Sequence, residues 1–305
     1  MKRRNFIAIL TASIAFAGCF SQTTFAMTSN IITTSTAVAY EESISIQGDN
    51  YAIPGTLSIP TTYRKGDKLP VVLMLHGTGS QKDEAGDLYK TLATHLAKEG
   101  YASLRIDFAG TGDSPVDYKE YTLTSATNDA NKAIEYLLNR PEFNTDRIGL
   151  IGFSQGGLIG QLVASENENI EAFVSWSGVS SPGEEAFKSF FDTYYEEAKL
   201  NGFAKVDFDW RSPLNFSLEW FKEIHSQSVL KDITKYEGKL LAIAGSADTV
   251  VNPIDSVNMI NAATSKDAAF YLIKDADHTF NCFIPDAPQT QEVLDVTVSW
   301  FKNNL

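Results

Sequence analysis

Two kinds of apolar pattern alternate along this chain. Short, nearly unbroken apolar runs occur at Val71 to Leu75, Ala102 to Asp107, Ile148 to Ile151, Ala172 to Trp176, Leu240 to Ala244 and Ala269 to Ile273. Runs of this length predict strands that are covered on both faces. Between and after them, Leu88 to Lys98, Thr124 to Leu138, Gln155 to Ser165, Pro253 to Ala262 and Thr290 to Phe301 predict helices. Such alternation implies a parallel sheet clad by helices. Ahead of it, Glu42 to Gln47 and Tyr51 to Ile59 flank Gly48-Asp49-Asn50 and predict an antiparallel hairpin.

Two stretches break the pattern. Met27 to Tyr40 is rich in Thr, Ser and Ala without periodicity and is expected to be a flexible tether over residues 27–40. The segment from about Ser181 to Lys235 interrupts the alternation with an aromatic-rich insertion. Phe187, Phe190, Phe191, Tyr194, Tyr195 and Ala198 recur at helical spacing, which predicts an amphipathic helix in a small cap over the sheet edge. Most of those rings are expected to pin the helix to the core. Trp210, Trp220 and Phe221 lie in less regular sequence and are the candidates for touching an apolar or aromatic group of a ligand.

The chemistry concentrates where predicted strands end. Gly152-Phe153-Ser154-Gln155-Gly156 joins the strand ending at Ile151 to the helix starting at Gln155, so Ser154 falls on a sharp strand-to-helix turn. A serine hydroxyl becomes a useful nucleophile only when an imidazole takes its proton and an acid orients that imidazole. Of the four histidines, His76, His95, His225 and His278, only the last two lie downstream of Ser154. His278 follows the strand-like Ala269 to Ile273 and is the base, in preference to His225. Asp248 follows Leu240 to Ala244 and is the acid, with Asp275 and Asp277 as runners-up; taken alone, Asp248 reads as an ordinary turn aspartate. The three choices gain weight together because each ends a separate β-like run. An oxyanion forming on a carbonyl needs two N–H donors, and Gln155, at the helix start, and Thr78, in His76-Gly77-Thr78-Gly79-Ser80, are expected to supply them. His76 is read as an organiser of that loop or simply as a hydrogen-bonded structural histidine.

From Tyr51 to Leu305 the chain resembles the α/β-hydrolase superfamily. The resemblance rests on His76-Gly77-Thr78-Gly79, on Asp107-Phe108-Ala109-Gly110-Thr111-Gly112-Asp113-Ser114, on the turn at Ser154, on Gly245-Ser246-Ala247-Asp248 and on Asp277-His278. Within it, the compact Gly152 to Gly157 turn and the loop after Arg105-Ile106-Asp107 look most like bacterial cinnamoyl/feruloyl esterases and serine aminopeptidase-like hydrolases. Dienelactone hydrolases fit less well, because they usually place Cys where Ser154 stands. The resemblance implies an α/β fold with an eight-stranded, mostly parallel sheet, ester hydrolysis through an acyl-enzyme, and no cofactor.

Composition narrows the reading further. With 305 residues, 43% hydrophobic and 21% charged, the chain can bury one large α/β core, expected to span 41–305. A formal charge of −13 is the reverse of what a phosphate backbone attracts, which excludes nucleic acid as a partner. Two cysteines give no disulfide framework, and no Cys or His cluster has metal-ligand spacing; Cys282 is read as a structural thiol. Residues 1–26 read as an export signal, with Lys2-Arg3-Arg4, the apolar run Phe6 to Gly18 and a small-residue end at Thr24-Phe25-Ala26. Phe16-Ala17-Gly18-Cys19 also resembles a lipobox with an atypical Phe16, so a lipid on Cys19 competes with free secretion as the expected outcome. The leading reading is an exported serine carboxylesterase acting on neutral esters of short-chain or aromatic acids. Its rivals are a serine peptidase of the aminopeptidase or prolyl oligopeptidase type and a non-catalytic binding protein. Oligomeric state is left open.

Overall fold

A computed structural model describes residues 38–305, which form one unit. The export signal, Cys19 and the tether up to residue 37 lie outside the described residues. The tether reading ran too far at its other end. Ala39 and Tyr40 already belong to the first strand, where they pair with Pro60 and Ile59.

The chain opens with an antiparallel hairpin, β1 (Ala39–Gln47) and β2 (Ala52–Pro60), followed by β3 (Leu69–Leu75), α1 (Leu88–Lys98), β4 (Ala102–Ile106), α2 (Leu123–Leu138), β5 (Phe143–Phe153), α3 (Gln155–Glu166) and β6 (Ile170–Trp176). An insertion follows, made of α4 (Lys188–Asn201), β7 (Phe203–Phe208), β8 (Arg211–Ser217), α5 (Leu218–Ser226) and the short α6 (Val229–Asp232). The main pattern then resumes with β9 (Lys239–Gly245), α7 (Ile254–Ala262), β10 (Ala268–Ile273) and α8 (Pro288–Asn304). The eight strands outside the insertion form one sheet in the order β1-β2-β4-β3-β5-β6-β9-β10. β1–β2 and β2–β4 pair antiparallel, and every other pair is parallel.

Side-chain alternation along the strands divides the core between the two faces. Val71, Leu73 and Leu75 of β3, with Ile148 and Leu150 of β5, pack with Ala126 and Ala130 of α2 and with Leu158, Ile159 and Val163 of α3. Their neighbours Val72, Met74 and Ile151 face Leu88, Leu92 and Leu96 of α1 and Val293, Leu294 and Phe301 of α8 on the other side. Burial on both faces is the reason these strands read as continuous apolar runs.

The insertion holds more than helices. β7 and β8 form a separate two-stranded antiparallel hairpin in which Ala204 and Val206 are buried while Lys205 and Asp207 are exposed. This period-two alternation was legible in the sequence but was overshadowed by the helical spacing before it. The cap has its own aromatic core, centred on Trp220. Its ring lies 4.8 Å from Phe216, 4.9 Å from Phe221 and 5.2 Å from Phe187, centroid to centroid.

One buried charge stands apart from the apolar core. Asp129 of α2 is buried and accepts a hydrogen bond from the Tyr51 hydroxyl at 2.9 Å. Burial pushes its carboxyl up to about 7, with the Tyr51 bond opposing the rise and the charge of Asp49 adding to it. The folded chain therefore holds this proton more tightly than the unfolded chain does. Stability is lost as pH rises from about 4, the ordinary carboxylate value, and the loss is complete above the folded value. Asp129→Asn should leave stability at pH 4 nearly unchanged and raise it at pH 8 by a few kcal/mol, at about 1.4 kcal/mol per pKa unit. Thermal melts at the two pH values check this, and equal melting temperatures for both proteins at pH 8 would show that the carboxylate carries no such cost.

Candidate active site

Every candidate group lies beyond the carboxyl ends of the parallel strands, where ligands of such sheets collect. Ser154 links β5 to α3 with φ 55° and ψ −119°, a conformation unfavourable for a residue with a Cβ. Strain of this kind costs on the order of 1–3 kcal/mol and persists only where neighbours over-determine the backbone. They do so here. A Cβ at Gly152 would run into the Gly156 carbonyl, and one at Gly156 would run into the carbonyls of Leu75 and His76 at the end of β3. The two glycines thus let α3 start directly against the sheet, and the backbone N–H of Ser154 donates to the Trp176 carbonyl at 2.9 Å. The serine is 9% exposed.

His278 and Asp248 converge on this point from the loops after β10 and β9. The Nδ1–H of His278 donates to Oδ2 of Asp248 at 2.8 Å. The other carboxylate oxygen of Asp248 accepts the backbone N–H groups of Val250 and Val251 at 2.8 and 2.9 Å. Burial alone would raise the pKa of Asp248. The bonds from His278, Val251 and Val250 outweigh it and hold the carboxyl below its ordinary value, so the aspartate stays ionised beside the ring. Ser154 and His278 line the same cavity without being hydrogen-bonded to each other. Such bonds are often long before substrate binds. The runners-up lie elsewhere. His225 is on the cap surface, its Nδ1 2.7 Å from Glu184. Asp277 uses Oδ1 to accept the N–H groups of Thr279 and Asn281, and neither it nor Asp275 bonds to the His278 ring.

The two residues expected to supply oxyanion donors, Thr78 and Gln155, are linked through their side chains. Thr78 Oγ1 donates to Oε1 of Gln155 at 2.7 Å, tying the loop after β3 to the start of α3. Gly77 to Ser80 is a tight turn closed by Ser80 N–H donating to the Gly77 carbonyl at 3.1 Å, with Gly79 at φ +64°. The N–H of Thr78, second in that turn, takes no part in its closure. Neither it nor the N–H of Gln155 has an acceptor among the described residues. His76, fully buried, spans two loops. Its Nδ1 lies 2.8 Å from the Gly77 carbonyl, and its Nε2 accepts the Phe108 N–H at 3.1 Å. Burial lowers its pKa, which keeps the ring neutral and suited to both contacts.

Sequence reasoning missed Glu84. Its carboxylate is buried and holds the same loop from below, accepting Gly77 N–H at 2.7 Å on one oxygen and Ser80 Oγ–H at 2.5 Å and Ala85 N–H at 2.8 Å on the other. Its only sequence signal was an acid four residues past a hydroxyl in a glycine-rich loop, which is common.

The cavity has a volume of about 780 Å³. Its wall is largely apolar, with Phe187, Phe190 and Phe208 from the cap, and Trp210, Val250 and Phe283 exposed at its mouth. No Lys or Arg lines it. Of the three expected contact residues only Trp210 is on this wall. Trp220 and Phe221 are fully buried in the aromatic core of the cap and do not reach the cavity, while Phe187 and Phe190, expected to serve packing, do. Cys282 is half-buried behind the loop that holds Glu84, its thiol pushed up by burial, and is not part of the wall. Among the described residues no group of three or more His, Cys, Asp or Glu could hold a metal ion.

Comparisons with known proteins give similarities at two levels. A family model described as X-Pro dipeptidyl-peptidase (S15 family) matches residues 49–190, and one described as BAAT / Acyl-CoA thioester hydrolase C terminal matches residues 130–269. A putative hydrolase of Bacillus subtilis, YtaP, is 33% identical over 125 residues, covering 34% of this chain and 42% of that protein. The chain spans less than half the length of the curated relatives it matches. Among solved structures, Est1E from Butyrivibrio proteoclasticus with ferulic acid bound is similar at a TM-score of 0.68 and 19% identity, over 86% of this chain and 98% of that one. A putative dipeptidyl aminopeptidase IV from Bacteroides ovatus gives a TM-score of 0.67 at 17% identity, over 89% of this chain and 37% of that one. At these identities the structural likeness is one of fold.

If Asp248 orients the base, Asp248→Asn should lower kcat by about 10⁴-fold, the size of loss seen when a triad aspartate is neutralised. Asp277→Asn should stay within about threefold of the parent, since a surface aspartate that bonds only its own loop has little hold on the reaction. Steady-state kinetics on one ester substrate checks both, and the reverse ranking would make Asp277 the acid.

Proposed function

We propose that this chain, an α/β-hydrolase by its family-model matches and its fold, is a serine carboxylesterase cleaving neutral esters of short-chain or aromatic acids through an acyl-enzyme. The observation that carries the proposal is the ordered line from Asp248 through His278 to a cavity that Ser154 also lines, with the N–H groups of Thr78 and Gln155 left without acceptors among the described residues. Ser154 Oγ attacks the ester carbonyl while His278 Nε2 takes its proton, and the N–H groups of Gln155 and Thr78 receive the oxyanion. His278 then gives the proton to the leaving alcohol. A water molecule, deprotonated by the same imidazole, releases the acid. Asp248 keeps Nδ1 protonated and balances the imidazolium.

The cavity wall favours an ester over a peptide. Its surface is aromatic and aliphatic, and Glu84, one of its two carboxylates, has both oxygens committed to its own loop. That leaves Asp277, which accepts from its own loop on one oxygen only, as the sole wall carboxylate that could meet the free amine of a peptide. The S15 match and the dipeptidyl aminopeptidase likeness support a second reading as a serine peptidase. A thioester substrate fits the same chemistry, although a cavity without Lys or Arg has nothing to offer a phosphorylated carrier. As part of the same proposal the protein is exported, on the strength of the basic, apolar and small-residue segments at its start. Intact mass of the mature protein would then begin beyond the apolar run, with or without lipid on Cys19.

Purified enzyme should turn over p-nitrophenyl esters of acetate to hexanoate or of hydroxycinnamates and leave aminoacyl-p-nitroanilides untouched. Faster anilide turnover would favour the peptidase. Ser154→Ala should fold normally and lose activity toward background, a fall that can reach about 10⁶-fold for a catalytic serine. Undiminished turnover in that variant would remove Ser154 as the nucleophile, and a parent protein inert toward every ester would leave only a binding role for the fold.

A further inference from the structure

The oxyanion loop is held from two sides, and the second hold comes from the cap. Arg211 opens β8, the second strand of the cap hairpin, and its Nη1–H donates to the Gly79 carbonyl. The side chain of Leu214, from the same strand, lies against Gly79. No carboxylate acts on Arg211 among the described residues, and its remaining side-chain bond goes to the Ser212 carbonyl at 3.3 Å. Its guanidinium lies over the Trp210 ring, 5.9 Å from the centroid, and partial burial lowers its pKa. An unpaired, half-buried guanidinium is costly unless its donors are used, and here the hydrogen bond outside its own strand goes to the catalytic loop.

The turn geometry makes that hydrogen bond consequential. Thr78 and Gly79 are the two central residues of the turn closed by Ser80 N–H and the Gly77 carbonyl. Glu84 fixes the ends of the turn through Gly77 N–H and Ser80 Oγ, and His76 Nδ1 meets the Gly77 carbonyl at 2.8 Å, while the Gly79 end of the turn has no such hold from the sheet side. Arg211 holds the carbonyl of the Gly79–Ser80 peptide, whose N–H closes the turn on the Gly77 carbonyl; the Gly77 carbonyl shares its peptide plane with the Thr78 N–H, so Arg211 acts on the direction of this donor through the turn bond. The hairpin is itself braced, since Asn215 Nδ2–H donates to Asp117 Oδ2 at 3.0 Å. The start of the insertion is clamped where the backbone N–H groups of Ser180 and Ser181 donate to Oδ2 of Asp255 at 2.9 and 3.0 Å.

We propose that Arg211 is a positioning residue through which the cap completes the oxyanion site, its guanidinium holding the Gly79 carbonyl so that the Thr78 N–H is aimed at the reacting oxygen. The proposal rests on the serine hydrolase reading above and extends it. The cap then belongs to the catalytic apparatus as well as to the pocket wall, and displacement of the hairpin switches off one oxyanion donor without moving Ser154, His278 or Asp248.

The test compares Arg211→Met, which keeps the aliphatic stem against Trp210, and Arg211→Lys, which keeps a charged donor, with the parent and Ser154→Ala. On a short-chain p-nitrophenyl ester, Arg211→Met should lose about 10- to 100-fold in kcat, a fraction of what deleting a whole oxyanion donor costs. KM and melting temperature should change little, and affinity for an alkyl boronic acid, which mimics the tetrahedral adduct, should fall in parallel with kcat. Arg211→Lys should recover part of the loss, and guanidinium chloride at millimolar, non-denaturing concentration should raise kcat of Arg211→Met alone. A purely structural role predicts lower melting temperature, raised KM and no rescue by guanidinium. That pattern, or parental kcat in Arg211→Met beside an inactive Ser154→Ala, overturns the role of Arg211 and leaves the hydrolase reading standing. Activity retained in Ser154→Ala overturns both.

Discussion

The site depends on a steric constraint: helix α3 begins so close to the end of β3 that no side chain fits between them. Gly156 lies against the Leu75 and His76 carbonyls, Gly152 lies against Gly156, and the residue between them is forced to φ 55°. The turn sets Ser154 at the head of α3 and on the cavity wall, beside first-turn amides that, as at any helix start, lack helical partners. In the proposed reaction, two requirements, a nucleophile at the cavity and a donor for the oxyanion, therefore meet at one packing contact. Parallel strands buried on both faces supply the rigidity that keeps the strained turn in place.

Around this fixed point the polar groups act mainly on loops. Asp248 satisfies two backbone N–H groups and the imidazole at once, so ionisation, loop shape and ring orientation are coupled. His76 joins the loop after β3 to the loop after β4, and Glu84 closes the former from beneath. None of these buried groups is left unpaired, as their desolvation requires. The apolar cavity above them supplies low dielectric, in which the N–H donors act more strongly than they would in water.

The fold was legible because strands covered on both faces must be apolar throughout and helices flanking them must be apolar on one side. The Ser154, Asp248 and His278 positions were legible because each ends such a strand. The tertiary contacts of the cap were not. Trp220 and Phe221 gave no periodic signal that distinguished a cap core from a cavity wall, and only the packing of Phe216, Phe187 and Trp220 around one another shows which rings turn inward. Phe187 and Phe190 look like packing residues from their spacing, yet a helix lying over a cavity packs one flank and exposes the other. Glu84 and Arg211 were invisible for a different reason. A charge that serves a backbone carbonyl or N–H far away in sequence leaves no local pattern, and the Arg211 to Gly79 contact spans the whole distance from the cap to the loop after β3.

The central claim is that one hydroxyl, activated by one imidazole, carries the covalent chemistry. Labelling with a fluorophosphonate followed by peptide mass spectrometry tests it most directly. A single adduct on the peptide carrying Ser154, forming at a rate that collapses in His278→Ala, is the expected result. Adduct on another serine, or labelling of Ser154 at an unchanged rate without His278, would contradict the account.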